Sequence, residues 1–323
     1  MIIALIIVGA IVLLNLIGFI ISKILGRNEL QGINPCGKLV EVSGKRMHVY
    51  ANGNEGNGKE TIILLPGLNV ILPSVDFKPL MDELSVNYNV VSVEYFGYGF
   101  SNETNTPRTN ENYVEEIRQT LTTAGFKPPY ILMPYSASGI YAEYYVAKYP
   151  QEVKALILLD TTSSAEKDTT TPPRWVFVIT KLQQATGFTR ITNPLLLPKV
   201  VGITVENGYT EKDIKNILKF ANHVYNETLI NQNVSFPTCV DEVIEMDFPT
   251  SVPVLAIRAD TYSKGKWPKY ISDHMKKLGK NAESTVIAGS SHASIYHNHK
   301  HRKSVCEAVE QFLEQNDYAK IPT

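Results

Sequence analysis

The sequence predicts an α/β protein built on a mainly parallel sheet flanked by helices, with a helical insertion and one membrane-spanning helix at the amino terminus. Three observations carry this expectation. Six short, nearly continuous apolar runs alternate with stretches of helical spacing, as parallel strands covered on both faces require. The alternation lapses between about Thr161 and Phe248. Ahead of both, residues 2–21, "IIALIIVGAIVLLNLIGFII", are apolar except for Asn15, and about 20 such residues cross a bilayer as a helix.

At the amino terminus no Lys or Arg precedes the apolar run, and "SKILGR" follows it. A cleaved signal peptide calls for a basic start and a small-x-small exit, so residues 1–27 read as an uncleaved, single-pass anchor. Lys23, Arg27, Lys38, Lys45 and Arg46 all follow the run, and the positive-inside rule then places the carboxy-terminal domain in the cytoplasm. The sequons at Asn102, Asn226 and Asn233 are tripeptides that arise often by chance.

The domain proper is expected over 37–323. "KLVEVSGKRMHVYANG" alternates on either side of Ser43-Gly44-Lys45, the sign of a β-hairpin. The strands follow as "TIILLPG", "NVVSVEYFG", "YILMPYS", "ALILLDT", "PVLAIRAD" and "STVIAGS". "FKPLMDELS", "NENYVEEIRQTLTTAG" and "GIYAEYYVAKYP" read as helices between them, the second stopped by Gly125. Residues 161–248 read as helices joined by Pro- and Gly-bearing turns, a cap over the sheet.

Composition narrows the function classes. The chain has 323 residues with 44% hydrophobic and 20% charged, enough for one large core, and its 31 basic and 32 acidic residues leave a formal charge of −1. No global field favours nucleic acid. Cys36, Cys239 and Cys306 are too widely spaced for a disulfide framework or a zinc cluster. His297, His299 and His301 in "HNHKHRK" have basic neighbours and no acidic partner in sequence, which reads as a solvated charged face. No metal and no cofactor are expected.

The chemistry centres on "PYSASG", Pro134 to Gly139, at the end of an apolar run and the start of a helical one. A strand–turn–helix context gives meaning to a G-x-S-x-G-like nucleophile elbow, in which the residues two before and two after the serine pass close together. With Ser136 in the turn these are Pro134 and Ser138; with Ser138 they are Ser136 and Ile140. A β-branched Ile suits a crowded turn badly, so Ser136 is the expected nucleophile. Pro134 loses only an N–H at a strand end. A turn with two hydroxyls capping a helix is the bland alternative.

Together "LLPGLN", "VEYFGYGFS", "PYSASGIYAEYYVAKYPQEVKALILLD", "PVLAIRAD" and "GSSH" resemble the α/β-hydrolase family, in that family's order, from about Gly37 to the carboxy terminus. The resemblance implies a catalytic order of Ser, acid, His. It implies His292 as the base, after the last strand and before the final helix. His48 reads as a surface strand residue, and His223 and His274 sit in polar helical contexts. Asp260, after "PVLAIRA", is the implied acid, with Asp160, ending "ALILLD", as its rival. The implied oxyanion donors are the backbone amides of Ala137, after the nucleophile, and of Leu68, in a loop where Pro66 replaces the family's His.

The resulting expectation is a membrane-anchored serine hydrolase that cleaves an ester-like acyl substrate, a small molecule, through an acyl-enzyme. Trp175, Phe177 and Phe188 of the insertion fit an apolar acyl chain. A proline-iminopeptidase-like aminopeptidase is the alternative within the fold, with Asp241 and Glu242 or Glu245 holding the amine. A non-catalytic hydrolase-fold module binding a lipid or partner is the alternative from another class. A dehalogenase is disfavoured because it needs a carboxylate nucleophile.

Overall fold

In the computed structural model, described over residues 2–53, 58–165, 169–263, 265 and 267–318, the apolar runs become strands. These are β1 (Lys38–Val42), β2 (Lys45–Asn52), β3 (Thr61–Leu65), β4 (Asn89–Glu94), β5 (Tyr130–Pro134), β6 (Val153–Leu159), β7 (Val254–Ala259) and β8 (Ala282–Ile287). They form one sheet in the order β1-β2-β4-β3-β5-β6-β7-β8. The first two pairings are antiparallel and the remaining five parallel. The hairpin closes on Ser43 and Gly44, both at positive φ, the turn that matches strand twist.

The helices are α1 (Ile2–Gly26), α2 (Pro73–Asp76), α3 (Lys78–Leu84), α4 (Asn110–Ala124), α5 (Ser138–Lys148), α6 (Arg174–Ala185), α7 (Phe188–Leu196), α8 (Glu211–Ala221), α9 (Glu227–Ile244), α10 (Trp267–Leu278), α11 (Ser294–His297) and α12 (His299–Tyr318). Helix α4 shows why the sequence breaks where it does. Thr109 accepts the Asn112 amide at its start, and Gly125 closes its end with φ of 100°, a conformation that suits glycine.

Two apolar layers sandwich the sheet. On one face Val91, Val93, Leu132 and Leu156 pack against Ile117 and Leu121 of α4, Tyr141 and Tyr145 of α5 and Val240 of α9. On the other, Ile62, Leu64, Met133 and Ile257 pack against Leu80 and Met81 of α3 and Val305 and Phe312 of α12. Each strand of the centre thus buries both faces, which explains its unbroken apolar run. Strand β8 departs from that reading. It is the sheet edge, most of its residues are partly exposed, and Val286 faces solvent.

Two histidines lie where the sequence reading did not put them. His48 is fully buried, not on the surface, because β2 pairs it across from Glu94, whose Oε2 lies 3.1 Å from Nδ1. His297 turns inward, away from a solvated face, with Nε2 3.2 Å from Asp76 Oδ1 and Nδ1 2.6 Å from the Ala293 carbonyl. Asp76 lies some 220 residues earlier in the chain, so local composition carried no trace of it.

Candidate active site

The parallel strands β5 and β6 end at the same rim, and each runs straight into a residue of the site. After β5, Ser136 occupies a left-handed turn with φ of 56°, a strained conformation for a residue with a side chain. Its amide donates to Leu159 O, and its carbonyl accepts from the Thr162 amide, at 3.2 and 3.1 Å. The turn is crowded. A Cβ on Gly67 would lie 2.7 Å from Ser136 Cβ, and one on Gly139 would lie 2.5 Å from Thr161 Cβ. Only glycine fits at either position.

Pro134 is accommodated by the register. It lies opposite Leu65 of β3, while the β5–β6 ladder covers Tyr130 to Leu132 and resumes only at Tyr135 opposite Leu159. The missing amide falls in the gap. Ser138 begins α5, fully buried, and its hydroxyl donates to the Pro66 carbonyl. With that proton committed, the Tyr95 hydroxyl is the donor in its 2.8 Å bond to Ser138 Oγ. Ser138 therefore ties the elbow to the loop before it.

Ser136 and His292 are brought together: Oγ lies 2.9 Å from Nε2. The other ring nitrogen, Nδ1, lies 2.6 Å from Oδ2 of Asp160. A nitrogen facing a carboxylate carries the proton, so Nε2 presents a lone pair to the serine hydroxyl. Tyr135 stacks on the imidazole at 4.8 Å between centroids, and its hydroxyl donates to the His292 carbonyl at 2.9 Å. Burial and the nearby Asp160 charge push that phenol's pKa well up, which keeps it a donor.

Asp260 is not the partner of His292, contrary to the sequence expectation. It opens a 3-10 turn after β7, where Oδ2 accepts the Gly289 amide at 3.0 Å and Oδ1 accepts the Ser263 hydroxyl at 3.1 Å. Asp160 takes the position because β6 adjoins β5. Its φ of 48° turns the side chain back over the sheet rim, where Oδ1 accepts the Ala259 amide at 2.8 Å and leaves Oδ2 for the histidine. Asp160 is buried, which strengthens its pull on the imidazole proton.

The expected oxyanion donors flank Ser136. Ala137 follows it directly, and Leu68 follows Gly67, whose Cα approaches Ser136. Among the described residues, no protein acceptor within hydrogen-bond distance is recorded for the Leu68 or Ala137 amide. The cleft beside Ser136 and His292 has a volume of about 140 Å³. Thr161, Ser163, Arg258, Tyr262, Trp267 and Tyr270 are among the residues that wall it.

Several residues expected near substrate lie elsewhere. Trp175 and Phe188 point outward and Phe177 is buried, and none lines the cleft. Asp241, Glu242 and Glu245 are exposed on or just past α9, and none reaches the cleft either. The sequence reading did not single out Arg258, which is buried, donates to the Thr161 carbonyl at 2.7 Å and lies 2.8 Å from His274 Nδ1. His274 continues to Glu143 at 2.8 Å, and Glu143 accepts the Ser164 hydroxyl at 2.5 Å. Burial pulls the Arg258 pKa below its ordinary value against the attraction of Asp160 and Glu143. Burial alone would raise Glu143, but His274, Ser164 and Lys277 together outweigh it and hold the carboxyl below its usual range. An arginine inside the apolar run "VLAIRA" was the one available signal of this network.

Comparison with known proteins places this geometry in context. A family model described as the alpha/beta hydrolase fold matches residues 60–194. An uncharacterized protein of Bacillus subtilis (strain 168), YbdG, is 40% identical over 124 residues, which are 38% of this chain and 37% of that protein. The pimeloyl-[acyl-carrier protein] methyl ester esterase of Xanthomonas axonopodis pv. citri (strain 306) is 23% identical over 73% of this chain and 89% of its own. Among solved structures, Cfl2 of Burkholderia cenocepacia is similar with a TM-score of 0.66, at 18% identity, over 85% of this chain and 94% of that one. The chain spans about two fifths of the length of the first curated relatives it matches.

Proposed function

The chain is an α/β-hydrolase-fold protein, and on that premise we propose that it is a serine hydrolase cleaving an ester-like acyl bond through Ser136, His292 and Asp160. The observation that carries the proposal is the unbroken line from Asp160 Oδ2 through both nitrogens of His292 to Ser136 Oγ. Ser136 attacks the carbonyl carbon as His292 Nε2 takes its proton. Asp160 holds the ring's tautomer and stabilises the imidazolium. The amides of Leu68 and Ala137 receive the developing oxyanion, and two such donors supply several kcal/mol of transition-state stabilisation. His292 then protonates the leaving alcohol, and water activated by the same nitrogen frees the acid.

An ester is favoured over an amino-terminal peptide because no acidic pair to hold an amine stands among the described residues of the cleft. The esterase relative supports the same choice. The test is a fluorophosphonate probe, followed by comparison of a p-nitrophenyl ester with an aminoacyl anilide. Labelling lost in Ser136→Ala, with turnover confined to the ester, is the expected result; faster anilide turnover points to the aminopeptidase. No labelling of the folded chain points to a binding module.

Membrane attachment belongs to the same proposal. Residues 7–26 of α1 are long and apolar enough to cross a bilayer and are almost wholly unburied, and the cations that follow argue for a cytoplasmic domain. Probe labelling of intact against lysed cells tests the sidedness, with labelling expected only after lysis for a probe that cannot enter cells.

A further inference from the structure

Helices α6 and α7 are amphipathic with the apolar face turned outward. On α6 the exposed apolar side chains are Trp175, Val178, Ile179 and Leu182, spaced i, i+3, i+4 and i+7 and so aligned in one stripe. On α7 Phe188, Ile191 and Leu195 are exposed at i, i+3 and i+7, and Leu196 is exposed beside them. Trp175, Leu182 and Ile191 are 63%, 62% and 69% exposed. The cations of α6 leave this stripe: Arg174 and Lys181 both reach Glu227 of α9, at 2.6 and 2.7 Å. A contiguous apolar face of this kind marks an interaction surface.

The packing of α1 identifies what covers it. The corner between α6 and α7 sits against the middle of α1, where Gly18 lies so close that a Cβ would stand 2.4 Å from the Thr186 carbonyl oxygen. Ser22 accepts a hydrogen bond from Arg190 Nε at 3.2 Å. Just past α1, Glu29 takes Arg190 Nη1 at 2.7 Å, Asn222 Nδ2 at 3.0 Å and His223 Nε2 at 2.8 Å, which fixes the helix to α7 and the end of α8. Gly18 precedes Gly26 by eight residues, a rise of roughly 12 Å along the axis. The α6–α7 corner is therefore level with the interior of the apolar span, and the medium around residues 7–26 surrounds the corner too.

We infer that α6 and α7 lie in the bilayer surface beside α1, apolar stripe toward the acyl chains, so that the helical insertion is a second membrane contact. The inference rests on α1 being a membrane helix, as proposed above. Lys199, exposed just past α7, has the reach to return its charge to the headgroups.

The sequence contains two tryptophans, so Trp267→Phe leaves Trp175 as sole reporter in the full chain, with near-ultraviolet circular dichroism checking the fold. The variant is reconstituted in phosphatidylcholine vesicles, with plain or brominated acyl chains, and washed with carbonate. Expected are retention by the vesicles, blue-shifted Trp175 emission, strong loss of intensity in brominated lipid and shielding from aqueous iodide. Adding Leu182→Asp and Ile191→Asp should restore iodide access while retention and, in the Trp267-containing chain, fluorophosphonate labelling stay unchanged. Retention with Trp175 quenched by iodide and not by bromine overturns the inference and leaves the anchor standing. Release by carbonate overturns the anchor reading and the inference together. Retention with shielding from both quenchers, and cross-linking into pairs, shows a second copy on this face instead of lipid and also overturns it.

Discussion

His292 Nδ1 faces Asp160, 132 residues earlier in the chain, at 2.6 Å, and not Asp260, which spends its carboxylate on the Gly289 amide. The two aspartates end neighbouring strands, so their substitution separates orientation of the base from support of its loop. Asp160→Asn should lower kcat for a p-nitrophenyl ester by about 10⁴-fold, the size of effect seen when a triad carboxylate is neutralised in place. Asp260→Asn should cost under about 10-fold, since one amide bond of the loop changes and the base keeps its partner. Steady-state kinetics on the two variants decide the assignment.

Ser138 and Ser136 should respond in opposite ways. Ser138→Ala strips the buried Pro66 carbonyl and Tyr95 hydroxyl of a partner, a loss of about 1–3 kcal/mol. A lower urea midpoint with fluorophosphonate labelling intact is expected. Ser136→Ala should abolish labelling and relieve a residue with a side chain from no strain, because alanine keeps the Cβ. Its urea midpoint should stay near that of the unaltered chain.

Gly67→Ala tests the crowding at the elbow. The added methyl would stand 2.7 Å from Ser136 Cβ and 3.2 Å from the Tyr135 carbonyl oxygen, so Ser136 must move. Displacement of a reacting group by about 1 Å can cost about 100-fold. Ester turnover should fall by about that factor, with circular dichroism unchanged.

The network of Glu143, His274 and Arg258 predicts an acid limit to stability. Glu143 has its folded pKa held below its ordinary 4.5, so its contribution is present above about pH 4.5 and is lost as pH falls through the lower folded value. Urea unfolding followed from pH 6 to pH 3 should show stability falling below about pH 4.5. In Glu143→Gln that part of the slope should be missing, with lower stability already at pH 6.

The sheet was legible because period and run length are local properties: "TIILL", "YILM" and "ALILL" need both faces covered wherever they go. The placing of Ser136 in the left-handed turn was legible for the same reason, since the size of Ile140 acts within two residues of the turn. The carboxylate facing His292 was not. Asp160 and Asp260 both close apolar strands, and what separates them is strand adjacency and a backbone turn of 48° in φ at Asp160, neither of which spacing encodes. His48 and His297 were misread because Glu94 and Asp76 reach them from other elements. Trp175 and Phe188 show the converse: aromatic residues on an amphipathic helix reveal a stripe, but not which way the fold turns it.

The bond from Ser138 to the Pro66 carbonyl has a consequence for how this sequence can vary. The acceptor is a backbone atom, present whatever residue stands at 66, so the constraint falls on position 138. Across natural variants a small hydroxyl at 138 should be kept more strictly than proline at 66, and libraries that randomise 138 should lose stability before they lose activity.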